Sequence, residues 1–526
     1  MSSNLLDKAE EDRMNKRLVL LIVHMSCRCY FGAVVLIALA LIIFPITAGA
    51  TTISKRYLYD PNDPKIDPQS ITGYTFSMVD FAQTSDGHII DEGNPIRAEE
   101  LKLLVHKDPV RFLELGKLLG SILPPAHREV GVYTALIWES IIHSINDEYF
   151  SKPFDFTITT GDNTDTGIKD ELLWFVALAD GRTPADFKAG HANSQGQRTI
   201  ISENPEGLLM SWYATIGNHD IEYQGTFNSD GFVGLLVKGL AYDPDPARYY
   251  INNLSYLDDV ISIYQASPPG HGFTDMQTEG YYSFDPTPYV HCLVLNTADY
   301  YCEQFNFPLE TLSQGLLSVS QYDWMKSEIM QNKDKLCVVF AHHSPNSFFS
   351  VKDDNQNYIS TEKLKDTLKG FENVVAFVDG HTHENRIVAE TTNDGKGYWD
   401  INTCAVVDYP QEWRRITIRD NGDGTGTISC RMHDHATLYG TLEPYIGIDI
   451  LDVSLTENDI QAWGEQGDRD VELYFKMPAS VQPTIMANYH PPVTPEEGND
   501  THATSSPQAT GSGGGSSGCF IGTAMR

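Results

Sequence analysis

The stretch that decides the fold is Phe156-Thr157-Ile158-Thr159-Thr160-Gly161-Asp162-Asn163-Thr164-Asp165. Its β-branched and aromatic side chains favour a short strand, and the glycine that follows lets the backbone turn and deliver Asp162 into a loop. An open α/β sheet carries its chemistry there, just beyond the carboxyl end of a strand. Moving outward, the same design recurs. Residues 81–88 close on Asp86-Gly87-His88, 213–220 on Gly217-Asn218-His219-Asp220, 336–343 on His342-His343, and 374–383 on Gly380-His381-Thr382-His383. Each apolar run ends in side chains of metal-ligand type.

Taken in order, D-x-H, G-D-x-x-D, G-N-H-D, a doubled histidine and G-H-x-H resemble the signature of the calcineurin-like metallophosphoesterase superfamily. A tripeptide such as Asp86-Gly87-His88 arises by chance in many chains, whereas the whole ordered series, each motif after a strand-like run, does not. The resemblance implies an α/β fold: a four-layer α/β/β/α sandwich of the metallo-dependent phosphatase type, here with a small C-terminal β appendage. It also implies a hydrolase that cleaves phosphomonoesters or phosphodiesters by attack of a hydroxide bridging two metal ions, and with its N-terminal segment the chain reads as an exported bacterial-type member.

Carried over residue by residue, Asp162 bridges the ions. Asp86, His88 and His383 complete the protein ligands of the first ion, and Asn218, His342 and His381 those of the second. His219 becomes the catalytic group facing the substrate, in the company of Asn218 and His343, with Asp165 and Asp220 set behind to hold rings and loops. His342 is preferred as ligand because it comes first after its strand, although the residues alone leave His342 and His343 as alternatives. Imidazole and carboxylate donors suit divalent or trivalent Fe, Mn, Zn or Co rather than Mg or Ca. Asp165 stands where purple acid phosphatases carry a tyrosine, so a tyrosine-coordinated ferric site is not expected.

Acidic residues outnumber basic ones 71 to 37 and the formal net charge is −34, a balance that repels polynucleotides and anionic lipid. Nucleic acid is thus disfavoured as a partner. A small-molecule phosphate ester fits, and no protein partner can be inferred. The eight cysteines include no C-x-x-C pair, which excludes zinc-finger spacing. Cys292, Cys337 and Cys404 lie in or beside apolar runs and read as small buried hydrophobes.

Residues 1–50 combine a basic start (Lys8, Arg13, Lys16, Arg17) with an uninterrupted apolar run over 31–44 and the small-x-small sequence Ala48-Gly49-Ala50. The run is short for a bilayer crossing, which takes about 20 residues, and has the form of a signal peptide. The alternative is an uncleaved anchor that keeps the chain in contact with the membrane. Either way the catalytic domain is expected to be exported, periplasmic or extracellular. Residues 51–73 read as an extended lead-in, 74–410 as the metallophosphoesterase domain, 411–481 as a β-rich part packed on it, and 482–526 as a Pro/Ser/Gly-rich tail unable to bury enough apolar surface to fold.

Apolar spacing predicts helices over 99–123, 130–146 and 169–178. Residues 281–285 and 291–297 read as consecutive strands. Arg419-Asp420-Asn421-Gly422-Asp423-Gly424-Thr425 reads as a hairpin turn, since it lacks the ligand series of a calcium loop. The competing function is a catalytically inactive cell-envelope binding or scaffold protein of the same fold.

Overall fold

Parallel strands need a crossover between them, normally a helix, and the chain uses that device in two successive runs. The computed structural model describes residues 53–61, 75–94, 96–97, 130–182, 192–193, 196–201, 204–227, 256–266, 271–273, 280–298, 313–349, 358–392, 395–435 and 462–488. The signal or anchor segment, the helices expected over 99–123 and residues 489–526 lie outside the described residues. Among the described residues no helix is long and apolar enough to cross a membrane.

A short strand β1 (Ser54–Tyr57) precedes β2 (Phe76–Thr84), α1 (Thr134–Ser151), β3 (Phe156–Thr159), α2 (Lys169–Ala179) and β4 (Trp212–Ala214). Strands β2, β3 and β4 pair in parallel. After α3 (Tyr256–Gln265), an antiparallel pair β5 (Tyr282–Thr287) and β6 (Val290–Val294) begins the second run. It continues through α4 (Val319–Gln331), β7 (Leu336–Phe340), α5 (Thr361–Gly370) and β8 (Val374–Asp379), with β6, β7 and β8 parallel. Strands β9 (Arg386–Thr391) and β10 (Gly397–Asn402) complete a six-stranded sheet in the order β5-β6-β7-β8-β10-β9.

The inner faces of the two sheets meet through aromatic rings. Phe81 stacks on Phe156 at 4.9 Å and meets Phe340 of the other sheet at 5.5 Å, while Tyr213 stacks on Phe284 at 3.8 Å. On the outer side of the second sheet, Tyr322, Met325 and Ile329 of α4 and Leu364 and Leu368 of α5 share one apolar cluster with Val339 and Phe377. Helices α1 and α2 pack together beside the first sheet, with Trp138 stacked on Phe175 at 4.9 Å and Phe175 edge-on to Trp212 of β4 at 6.0 Å. This is the expected four-layer sandwich.

The C-terminal part departs from the expectation of an appendage packed on the domain. Strands β11 (Glu412–Asp420), β12 (Thr425–Asp434) and β13 (Val471–Lys476) are built into the first sheet, whose order is β1-β13-β12-β11-β2-β3-β4. The physical reason is the free edge of β2, which would otherwise expose an unpaired ladder. β11 covers it antiparallel, from Arg414 opposite Gln83 to Asp420 opposite Phe76. The aspartate-rich stretch is the β11–β12 turn, with Asp420 Oδ1 accepting from the Gly422 N–H. The tail expected to be unstructured from residue 482 instead opens with helix α6 (Gln482–Asn488), because Val481 and Ile485 find buried sites.

Candidate metal centre

The loops that leave β2, β3, β4, β7 and β8 at their carboxyl ends carry the site, and backbone hydrogen bonds tie them together. The Asp86 N–H donates to Gly161 O (3.0 Å), the His88 N–H to Asp162 O (2.9 Å), and the Gly380 N–H to His342 O (3.0 Å). Space between the loops is so small that side chains are excluded at key points. A Cβ on Gly217 would lie 2.1 Å from Asp162 Oδ1, and one on Gly380 would lie 1.7 Å from Ser85 Oγ. The backbone is also driven into the left-handed region at Asp86, His88, Asp162, His381 and His383, with φ between 39° and 69°. Non-glycine residues adopt that conformation at a cost and are concentrated at functional sites.

One pocket receives every sequence-predicted ligand. His342 Nε2 lies 3.1 Å from Asp162 Oδ2, 3.0 Å from Asn218 Oδ1 and 3.2 Å from His381 Nδ1. On the other side of Asp162, His88 Nε2 and His383 Nε2 approach to 3.3 Å. Asp86 Oδ1 is 3.2 Å from His383 Nε2 and 3.8 Å from His88 Nε2. His88 Nε2 is in turn 3.8 Å from Asp162 Oδ2.

Hydrogen-bond partners on the far side of each group fix which atoms face inward. His342 Nδ1–H donates to Thr160 O at 2.8 Å, and Asn218 Nδ2 donates to Gly225 O at 2.9 Å. His383 Nδ1–H donates to Asp408 Oδ2 at 2.6 Å, and His88 Nδ1 faces Asp165 Oδ1 at 3.2 Å. The inward atoms are therefore lone-pair donors, and Asp86 Oδ1 is buried without a hydrogen bond. Lone pairs this close repel unless positive charge lies among them, so the residues fit cations held on both sides of Asp162.

Electrostatics give the same answer. Against burial, which would lower it, the Asp162 carboxylate carries His342 up to about 9. Against burial again, Asp86 and Asp408 carry His383 up to about 10. Burial raises carboxylates, yet His383 and His88 hold Asp86 well below the usual range, and His342, His219 and His88 do the same for Asp162. Burial and the neighbouring His342 push His381 down to about 3. In the absence of an ion, a proton takes the cation's place.

His219 donates its backbone N–H to Asp162 Oδ1 (2.8 Å) and its Nδ1–H to Asp165 O (2.6 Å). Its ring stands edge-on to His88 at 4.6 Å. Asp220 braces the loops: Oδ1 accepts from the N–H groups of Asn163 (2.8 Å) and Thr164 (3.0 Å), and Oδ2 from that of Gly217 (2.8 Å). His343 is fully buried, its ring 4.6 Å from His342 and 4.3 Å from His381. Both members of the doubled histidine thus line the pocket.

The sequence reading missed Asp408, Thr297 and Arg97. Asp408 backs His383, Thr297 contacts His343 Nδ1 at 2.9 Å, and Arg97 Nη1 is 3.5 Å from Asp165 Oδ2. A signal existed for two of them. Asp408 ends the apolar run Cys404-Ala405-Val406-Val407, and Thr297 closes the strand-like run 291–297, each repeating the arrangement of the named motifs. Arg97 had no such marker.

An α/β sandwich with imidazole and carboxylate donors at its strand ends is the metallo-dependent phosphatase type of protein. The sequence model described as calcineurin-like phosphoesterase matches residues 134–385, and over those residues the chain is similar to that superfamily. The match contains the four later motifs. Asp86 and His88 lie before it and join the pocket through β2.

Among solved structures the chain is similar to a dimetal phosphatase from Danio rerio, with 11% identity over 69% of this chain and 98% of that one and a TM-score of 0.38. It is similar to PhoD at 12% identity, covering 69% of each chain with a TM-score of 0.33. It is also similar to the purple acid phosphatase PPD1 of yellow lupin (Lupinus luteus) seeds at 10% identity, covering 68% and 51% with a TM-score of 0.28. No curated protein matches the sequence.

Proposed function

We propose that the protein is a dinuclear phosphoesterase acting on small phosphomonoesters or phosphodiesters. Asp86, His88 and His383 hold one ion, Asn218, His342 and His381 the other, and Asp162 is shared. The observation that supports this best is the convergence of imidazole, amide and carboxylate ligand atoms on both sides of the Asp162 carboxylate. When bound, such ions supply a water-derived nucleophile at neutral pH and neutralise charge on the phosphoryl oxygens.

The chain's own groups do the rest. Asp162 offsets the repulsion between two cations, and its Oδ1 fixes the His219 backbone. With Nδ1–H committed to Asp165 O, His219 exchanges protons through Nε2. Burial holds this ring below the usual imidazole range, so its protonated form is a strong donor to a leaving alkoxide. Asn218 and His343 face the substrate. Residues 1–50 add export of the enzyme from the cytoplasm to this reading, which N-terminal sequencing of fractionated cells would check.

The test is elemental analysis of the purified protein together with hydrolysis of p-nitrophenyl phosphate and bis-p-nitrophenyl phosphate. Two equivalents of metal are expected, with turnover that chelation removes and that Asp162→Ala and His219→Ala abolish. Two tightly held ions with no turnover of any ester would favour the binding or scaffold protein instead.

A further inference from the structure

His343 differs from its neighbours in what its remote nitrogen meets. In His342 and His383 that nitrogen faces a carbonyl or carboxylate oxygen, which can only accept, so Nδ1 must carry the proton and Nε2 must present a lone pair. In His343 it faces the Thr297 hydroxyl at 2.9 Å. That hydroxyl oxygen already accepts the His343 backbone N–H at 3.1 Å. Were Nδ1 also protonated, two donors from one residue would converge on Thr297 Oγ1 and the hydroxyl's own proton would have no acceptor among the described residues. With the Thr297 O–H donating to Nδ1 instead, the hydroxyl, the His343 backbone N–H and Nδ1 are all satisfied, and the proton of the neutral ring resides on Nε2.

His343 Nε2 is fully buried and has no hydrogen-bond partner, although one nitrogen of each of His342, His343 and His381 lies within 4.8 Å of the others. A buried donor without an acceptor is costly and native structures seldom retain one. From this we infer that His343 is a phosphate-binding hydrogen-bond donor and not a metal ligand, and that Thr297 is the positioning residue that sets its tautomer. The acceptor is a phosphoryl oxygen of the ester or of the phosphate product. The inference rests on the phosphoesterase reading for the nature of the ligand, while the tautomer follows from Thr297 alone.

Three measurements on the full-length, metal-loaded protein test it. Elemental analysis should find the same metal content in His343→Ala as in the unaltered protein, whereas His342→Ala loses about one equivalent. Calorimetric titration with inorganic phosphate should give a Kd about tenfold to a hundredfold weaker in His343→Ala, the effect of losing one hydrogen bond to an ionised oxygen, with His343→Gln restoring part of it through its amide N–H. Long-range proton–nitrogen correlation spectra of nitrogen-15-labelled protein should show His343 protonated at Nε2. Thr297→Val should disturb that signature and weaken phosphate binding, and Thr297→Ser should restore both.

Loss of metal in His343→Ala would make the ring a ligand and overturn the inference, as would unchanged phosphate affinity in that variant or a proton on Nδ1. If the unaltered protein hydrolyses no ester yet these results hold, the phosphoesterase reading fails and the donor assignment stands.

Discussion

Asp408 bears on His383 through a single hydrogen bond of 2.6 Å from Nδ1, and that bond both fixes the tautomer and makes Nε2 a better ligand. Asp408→Asn retains the shape but offers a neutral oxygen. On the proposed two-ion reading, affinity for an ion beside Asp86 should fall about 10–100-fold, followed by competition with a chromophoric chelator, and an ion beside His342 should be affected less. Equal weakening of both would mean that Asp408 acts on the pocket as a whole. The same residues give the ion-free protein a pH dependence. His342 and His383 titrate at about 9 and about 10 in the fold, above the unfolded imidazole value of about 6.5. Their protons therefore stabilise the native state fully below about pH 6.5, and this contribution is lost as pH rises through 9 and 10. With chelator present, the melting temperature should fall between pH 6.5 and 10, and bound ions should flatten the decline by replacing those protons. A melting temperature that rises across this window would contradict the assignment.

At the scale of elements, the site is a set of strand ends pressed together until some positions have room only for hydrogen. Gly217 shows this most simply, since a Cβ there would meet Asp162 at both Oδ1 (2.1 Å) and backbone N (2.4 Å). Gly217→Ala should displace the shared carboxylate, reducing metal content and activity together by at least about tenfold, while far-UV circular dichroism stays native. Retention of full metal content would show that the loop yields instead. This construction also explains what the sequence disclosed. Asp86, Asp162, Asn218, His342 and His383 were readable because each follows its own strand within a few residues, so a local pattern carries the chemistry. Asp408 and Thr297 belong to the same pattern but act on a histidine from another strand, and their pairing depends on how the strands align. Residues 411–481 were readable as β-rich, but the edge that their strands β11 to β13 would join was not. That edge was settled by β2, far away in the chain.

Across the whole molecule, the pocket exists only while the two sheets keep their alignment, and a buried polar chain links them close to the ligands. Gln83 of β2 donates from Nε2 to Asp379 O of β8 at 2.8 Å, and its Oε1 accepts from the Thr403 hydroxyl at 2.6 Å. Thr403 Oγ1 in turn accepts from Arg414 Nε of β11 at 2.9 Å. The remaining guanidinium nitrogens donate to Asn385 Oδ1 (3.0 Å), Asn402 O (3.2 Å), Asp468 O (2.9 Å) and Arg469 O (3.3 Å). Arg414 is thus a fully buried cation whose partners come from the first sheet's C-terminal part and from the second sheet beside His383. In Arg414→Met the side chain still fills space, but each of these acceptors loses its guanidinium donor in a dry interior, with Asn385 Oδ1 keeping only the Cys404 N–H at 3.2 Å. Each such loss costs about 1–3 kcal/mol, so the variant should lose on the order of 3 kcal/mol or more in urea unfolding of the metal-loaded protein. Because the same groups hold Asn385 and Asn402 around the G-H-x-H loop, metal should leave at lower urea than in the unaltered protein. A variant that unfolds at the original midpoint would show that the alignment is carried by the aromatic interface between the sheets, with Arg414 a passenger.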